Sequence, residues 1–250
     1  MSLMNPYIWQ ESWDRQQSAF MPDREHRFDA MLTAVGAVTG GAPPRLLDLA
    51  GGTGSIGLRT LARFPGARVT VLDQDPVLLA IAEASLAGRA TVVDADLSDP
   101  GWRAKLPHDG FDAVLTATAL HWLPAERTSA LYAEIRELLR PDGIFVNADH
   151  MPDENLPDFS RRLRDQARSE RNARYASGAA TSWEDWWARV AADEWLAVKA
   201  VERQRIYPTG HAAEWNPPAS WHLDALRAGG YREVGVIWRG GTDAAVLGVR

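Results

Sequence analysis

Leu46-Leu47-Asp48-Leu49-Ala50-Gly51-Gly52-Thr53-Gly54 is the stretch on which the reading of this chain turns. A short apolar run carries one acid and passes straight into glycines, the pattern of a buried strand handing over to a helix. Glycines there permit a tight turn and let a ligand approach the backbone closely. The helix expected at 55–64 would present its unpaired N–H groups to that ligand before stopping near Pro65-Gly66. The strand itself is read as 45–49.

The same alternation continues outward. Strands are read at 68–72, 90–93, 111–116 and 144–147, each followed by a helical pattern or turn. Asp75 with Pro76 suits a helix start, because proline at the first helical position gives up an N–H that would have no partner. The helix at 125–139 repeats apolar residues at Leu131, Ile135, Leu138 and Leu139 and is read as ending in a turn, Arg140-Pro141-Asp142-Gly143. Beyond His150 the rhythm changes to three helical patterns at 157–175, 182–190 and 194–204, with Ser182 and Asp185 resembling a capping pair. A helix near 221–228 leads to two strands, 234–239 and 244–249, joined by the hairpin signal Gly240-Gly241-Thr242-Asp243. Upstream, 23–38 reads as a helix, and 5–21 is an aromatic, polar lead-in with no assigned structure. One α/β domain is expected: a helical flap over 1–40, a ligand-binding core over 41–150, an inserted helical lid over 151–218, and a closing helix and hairpin over 219–250.

Composition bounds the function. The 250 residues are 46% hydrophobic, enough for one well-buried core. A net charge of -6 with no basic block argues against nucleic acid as a partner. No apolar run is long enough for a membrane span, no signal-peptide pattern opens the chain, and cysteine is absent. A cytoplasmic protein without disulfides or thiolate chemistry is expected. Eleven tryptophans are many for this length, and Trp183, Trp186, Trp187 and Trp195 fall together in the lid, read first as packing and second as a ligand wall.

Gly52-x-Gly54-x-x-Gly57 followed by Asp73 also satisfies a dinucleotide fingerprint. Asp48 tells against it, since a carboxylate just ahead of the glycines would repel a pyrophosphate and attract a cationic amino or sulfonium group. A second βαβαβ half is missing as well. Asp73, closing the second strand, stands where a carboxylate can accept both hydroxyls of a ribose.

These landmarks resemble the class I S-adenosylmethionine-dependent methyltransferase family, whose first motif has the form Asp-x-Gly-x-Gly-x-Gly. Ala50 stands for its first glycine, a departure that would narrow the pocket slightly, while Gly52 and Gly54 match. The resemblance continues through Asp73, through Asp94-Ala95-Asp96-Leu97 as the adenine-side turn, through 111–116 with Leu120-His121-Trp122-Leu123, and through Leu138–Gly143 leading into strand five. It covers about 23–118 and the C-terminus, and leaves the lid uncovered. It implies a Rossmann-like seven-stranded sheet, mostly parallel with a reversed C-terminal strand and helices on both faces. It implies S-adenosyl-L-methionine as cofactor, held by Asp48, Ala50, Gly51, Gly52, Gly54, Asp73, Gln74, Asp96, Leu97 and Thr116, and a small-molecule acceptor, with a homodimer left open. Asp94 competes with Asp96 for its role, and Asp112 reads as structural.

Methyl transfer from a sulfonium is an in-line displacement that needs positioning and a deprotonated nucleophile, and no metal. A general base, where used, is most often histidine. His121 after strand four and His150 after strand five stand on the sheet edge where ligands bind, and are the catalytic candidates. His211 and His222 lie in the lid and its exit. Tyr7, Trp9 and Trp13 with Gln16, Gln17 and Arg24 could close over the site, and Arg24 or Arg27 could hold an acidic acceptor. Two other readings stay open: a nicotinamide-dependent oxidoreductase, and a non-catalytic S-adenosylmethionine-binding protein. Asn216-Pro217-Pro218-Ala219 lies too late and lacks the aromatic of nucleic-acid-modifying motifs.

Overall fold

Strand β1 (Arg45–Leu49) is buried on both sides after its first residue, as the middle of a helix-covered parallel sheet requires. The structure, a computed structural model, describes residues 6–208, 210 and 214–250. Around β1 stand β2 (Arg68–Asp73), β3 (Ala90–Asp94), β4 (Phe111–Ala117), β5 (Leu139–His150), β6 (Glu233–Gly240) and β7 (Asp243–Val249). Their spatial order is β3-β2-β1-β4-β5-β7-β6. The first five are parallel, and β7 runs antiparallel between β5 and β6. The expected mostly parallel seven-stranded sheet with a reversed C-terminal strand is therefore the architecture found. The order reverses between β1 and β4, which opens a crevice at their carboxyl ends.

Helices cover both faces. On one, α2 (Arg24–Thr39) and α3 (Ser55–Arg63) set Phe28, Met31, Val35 and Ile56 against Leu46, Val71, Leu115 and Val146. On the other, α5 (Ala125–Leu138) and α9 (Ala219–Ala228) set Leu131, Ile135 and Leu226 against Leu47, Val114 and Phe145. Asp75 caps α4 (Pro76–Leu86) through the amides of Val77 and Leu78, as its position before Pro76 suggested.

One expectation is corrected, and one unassigned stretch gains its structure. The turn read at 140–143 is part of β5: Leu139 already pairs with Phe111, and the register shifts between Phe111 and Ala113. Asp142 takes a positive φ of 62° there, and a Cβ on Gly143 would come within 2.9 Å of the Arg140 carbonyl. The bulge looked like a turn because it uses turn residues. The unassigned lead-in forms helix α1 (Pro6–Phe20). Its reason is tertiary: Asp14 accepts from Arg24 at 2.7 Å and from the Ser55 hydroxyl at 2.8 Å, which fastens α1 to the start of α3.

The segment after β5 folds as α6 (Pro157–Ala176), α7 (Trp183–Ala192) and α8 (Ala197–Ile206), with Ser182 capping α7. Its tryptophans pack. Trp186 is fully buried, 5.7 Å from Trp9 and 5.0 Å from Trp13 between ring centroids, and its indole N–H donates to Ser12 at 3.0 Å. Val77, Leu78 and Ile81 of α4 complete this cluster, so α1 and α7 are joined over one helix of the core. Removing a fully buried tryptophan costs about 3–5 kcal/mol. Trp186→Ala should lower the opening free energy of α1 and α7 by that amount in native-state hydrogen exchange, while β1, β4 and β5 keep their protection. Unchanged exchange in α7 would contradict the packing described.

Candidate functional site

The glycine turn takes its shape from Asp48. One carboxylate oxygen accepts from the Gly57 amide of α3 at 2.9 Å, and the other is buried with no partner. A Cβ on Gly51 would stand 2.6 Å from the Asp48 carboxyl carbon, so only glycine fits over it. Gly52 and Gly54 take positive φ values of 56° and 75°, the region glycine enters freely. Ala50 is also left-handed, at φ 51°, which costs an L-residue about 1–2 kcal/mol. That cost accounts for glycine being the related motif's usual residue there.

Asp73, at the end of β2, accepts from Gly52 N at 2.8 Å, Gln74 N at 2.8 Å and Asp75 N at 2.9 Å. Burial pushes its carboxyl up to about 6 despite the three amides. Burial pushes Asp48 further, to about 7, against the pull of the Gly57 amide and with some repulsion from Asp73. Two carboxylates here hold their protons too tightly to stay ionised comfortably without a cation or donor.

Both line one cavity of about 500 Å³ at the carboxyl ends of β1, β2 and β4. Of the sequence-predicted cofactor residues, Asp48, Ala50, Gly51, Gly52, Asp73, Gln74, Asp96 and Leu97 line it, and Gly54 and Thr116 do not. Gly54 lies behind the turn, with Leu86 and Val71 against it. Thr116 is fully buried inside the sheet. Asp96 holds the Ser98 amide and hydroxyl, each at 2.7 Å. Asp112 accepts from Arg45 N at 2.7 Å and pairs with Arg140, away from the cavity.

His121 and His150 line the same cavity. His121 sits in a 3₁₀ turn, Leu120–Trp122, just past β4. Its Nδ1 lies 2.7 Å from Asp149 Oδ1. Burial would raise the Asp149 carboxyl, but His121 and His150 overcome it and leave it at about 2. An ionised carboxylate on Nδ1 fixes that nitrogen as the donor and leaves Nε2 as the acceptor of the neutral ring. His150 Nδ1 lies 2.8 Å from Asp243 Oδ1, and Asp243 also pairs with the buried Arg27. Of the remaining histidines considered, His222 is bound to Tyr132 at 2.7 Å, and burial lowers it to about 4. His211 lies outside the described residues.

Sequence reasoning missed the partners. Asp149 falls past the strand read at 144–147, but β5 extends to His150, and its two-residue alternation places Asp149 on the face toward α5 and the turn Leu120–Trp122. Ser55 and Tyr207, which line the cavity, meet it only in three dimensions. Arg24 lines the cavity, but its guanidinium is committed to Asp14. Helix α1 contributes Trp13, Gln17 and Phe20 to the lining, α7 contributes Trp183 and Glu184, and Tyr207 follows α8.

Comparison with known proteins fits this geometry. A family model described as a methyltransferase domain matches residues 46–143, from β1 into β5. The chain is 32% identical over 192 residues to the trans-aconitate 2-methyltransferase of Methylobacterium nodulans, spanning 74% of this chain and 67% of that one. It is 30% identical over 161 residues to the enzyme of that name from Acidovorax sp., covering 64% of this chain and 54%, about half, of that relative's length. Human N-acetylserotonin methyltransferase, solved in complex with S-adenosylmethionine, superposes with a TM-score of 0.57 at 17% identity, over 100% of this chain and 59% of its own. That last likeness is one of fold. Sheet order, glycine turn and sequence identity together place the chain in the class I S-adenosylmethionine-dependent methyltransferase family.

Proposed function

We propose that this protein transfers a methyl group from S-adenosyl-L-methionine to a small-molecule acceptor. The observation that carries the reading is the unpartnered, buried Asp48 oxygen beside the glycine turn, with Asp73 on the same cavity. The donor set suits the cofactor: Asp48 is placed to attract its ammonium and Asp73 to accept from its ribose hydroxyls. Gln74, Asp96 and Leu97 continue the lining toward where the adenine would lie. A pyrophosphate would meet two carboxylates at the same place, which disfavours a nicotinamide dinucleotide.

When bound, the cofactor supplies an electrophilic methyl on a sulfonium. The chain's own part is to hold an acceptor in line with it and to take a proton from that acceptor. His121 serves as the base, with Asp149 holding its Nδ1–H and stabilising the imidazolium that forms. Helix α1 and helices α6–α8 act as a flap and lid that exclude water. The Arg203–Asp75 contact at 2.6 Å ties α8 to the core directly beside the cofactor side.

Two measurements follow. Calorimetry should show binding of S-adenosylhomocysteine and no comparable binding of NAD, with Asp73→Asn weakening it by about 1.5–3 kcal/mol. The pH dependence has a definite sign. The free protein holds protons on Asp48 and Asp73 up to about 7 and about 6, whereas an ammonium and hydroxyl donors favour the ionised forms. Affinity should therefore rise as pH increases from 6 to 8, with proton release on binding. Affinity independent of pH and of Asp73 would count against the cofactor assignment.

His121→Ala should lower turnover by about a hundred- to ten-thousand-fold and leave S-adenosylhomocysteine affinity nearly unchanged. Asp149→Asn should lower turnover as well, through loss of the imidazole's orientation. Near-normal turnover in both variants would make the pair structural.

A further inference from the structure

Two imidazoles share one wall of the cavity. The ring centroids of His121 and His150 are 5.4 Å apart, and each Nδ1 is taken up by its own carboxylate, Asp149 and Asp243. Nε2 of each ring is left for a ligand. The two carboxylates are backed differently. Asp149 is buried, and besides His121 it receives only the His150 amide, at 2.8 Å. Asp243 is already neutralised by Arg27, a guanidinium buried to 1% exposure. Burial works against a proton on His150, and so does Arg27, but Asp243 and Asp149 outweigh both and raise its pKa. His150 thus favours carrying positive charge and donating.

What surrounds the pair is aromatic. The Trp122 ring lies 4.6 Å from His121 and the Phe20 ring 6.4 Å from His150, centroid to centroid. Trp13 and Trp183 line the same cavity. Cationic recognition is scarce: among the described lining residues Arg24 is the one Lys or Arg, and Asp14 holds it at 2.7 Å. Glu184 and Glu214 add negative charge to the lining.

We infer that the acceptor is a phenol, an uncharged aromatic hydroxyl seated between these aromatic side chains with its oxygen between His121 and His150. The inference rests on the methyl-transfer reading above and deepens it. The O–H bond breaks to His121 Nε2, and the oxygen's electron pair forms the new O–CH₃ bond. The S–CH₃ pair stays on sulfur, giving an aryl methyl ether, S-adenosylhomocysteine and a proton on the imidazole. His150 stabilises the oxyanion as it forms. A polycarboxylate fits the same site poorly: it is ionised at neutral pH, has no proton for the base to take, and would face Glu184 and Glu214 without a free guanidinium.

The test uses 4-nitrophenol, whose ionised form has its own absorbance band, with the protein saturated in S-adenosylhomocysteine. It is run at a pH where the free probe is mostly protonated. The bound probe should show the ionised band. His150→Gln and Asp243→Asn should each reduce the ratio of ionised to neutral bound probe by about tenfold or more, with S-adenosylhomocysteine affinity as the check that each variant is folded. Trans-aconitate, the acid in the relatives' names, should not displace the probe at equal concentration. A bound probe that stays neutral, a probe displaced by trans-aconitate, variants that leave the ionised fraction unaltered, or no probe binding to the loaded protein would each overturn the inference. Failure of the wild type to bind S-adenosylhomocysteine is a separate result, and it would instead sink the cofactor reading.

Discussion

The Asp48 carboxylate lies beneath the glycine turn, with one oxygen on the Gly57 amide at 2.9 Å and the other buried and unpaired. Burying a carboxylate is costly unless hydrogen bonds or charge compensate, and here compensation inside the protein is half complete. The one bond it makes joins the end of β1 to the first turn of α3. The space it occupies dictates glycine at position 51. The turn so formed places the Gly52 amide on Asp73, which links β1 to β2 at the cavity floor. The bond that shapes the turn and the oxygen left unpaired therefore belong to one carboxylate.

The second half of the site follows from the pleat of β5. Asn147 and Asp149 point to the face covered by α5 and α9, while Ala148 and His150 point to the face of α2. Asp149 reaches His121, and His150 reaches Asp243 on the neighbouring β7 and, through it, Arg27 of α2. Two imidazoles anchored on opposite faces of one strand thus meet at its carboxyl end. Because Asp149 is buried on β5 and Asp243 stands on the paired β7, the geometry is set by the sheet rather than by loops.

Much of the core was legible in the sequence because its signals are local. The run Leu46–Gly54 carries strand, acid and glycines in contiguous order, and Asp75-Pro76 announces a helix start through its own chemistry. Signals that depend on distant partners were not legible. Helix α1 owes its place to Asp14 meeting Arg24 and Ser55 and to Trp9 and Trp13 meeting Trp186. The bulge at Asp142-Gly143 imitates a turn. His121 and His150 could be named from their position after strands, but their carboxylate partners lie 28 and 93 residues away in the chain. Thr116, placed by pattern on the ligand edge, is buried within the sheet.

The most direct test of the central claim is a crystal structure of the protein with S-adenosylhomocysteine. The expected density has the ribose hydroxyls on Asp73 and the ammonium beside the free oxygen of Asp48, at the crevice between β1 and β4. Density for the ligand elsewhere, or a ligand in that crevice with neither carboxylate in contact, would contradict the claim that these two acids build the site.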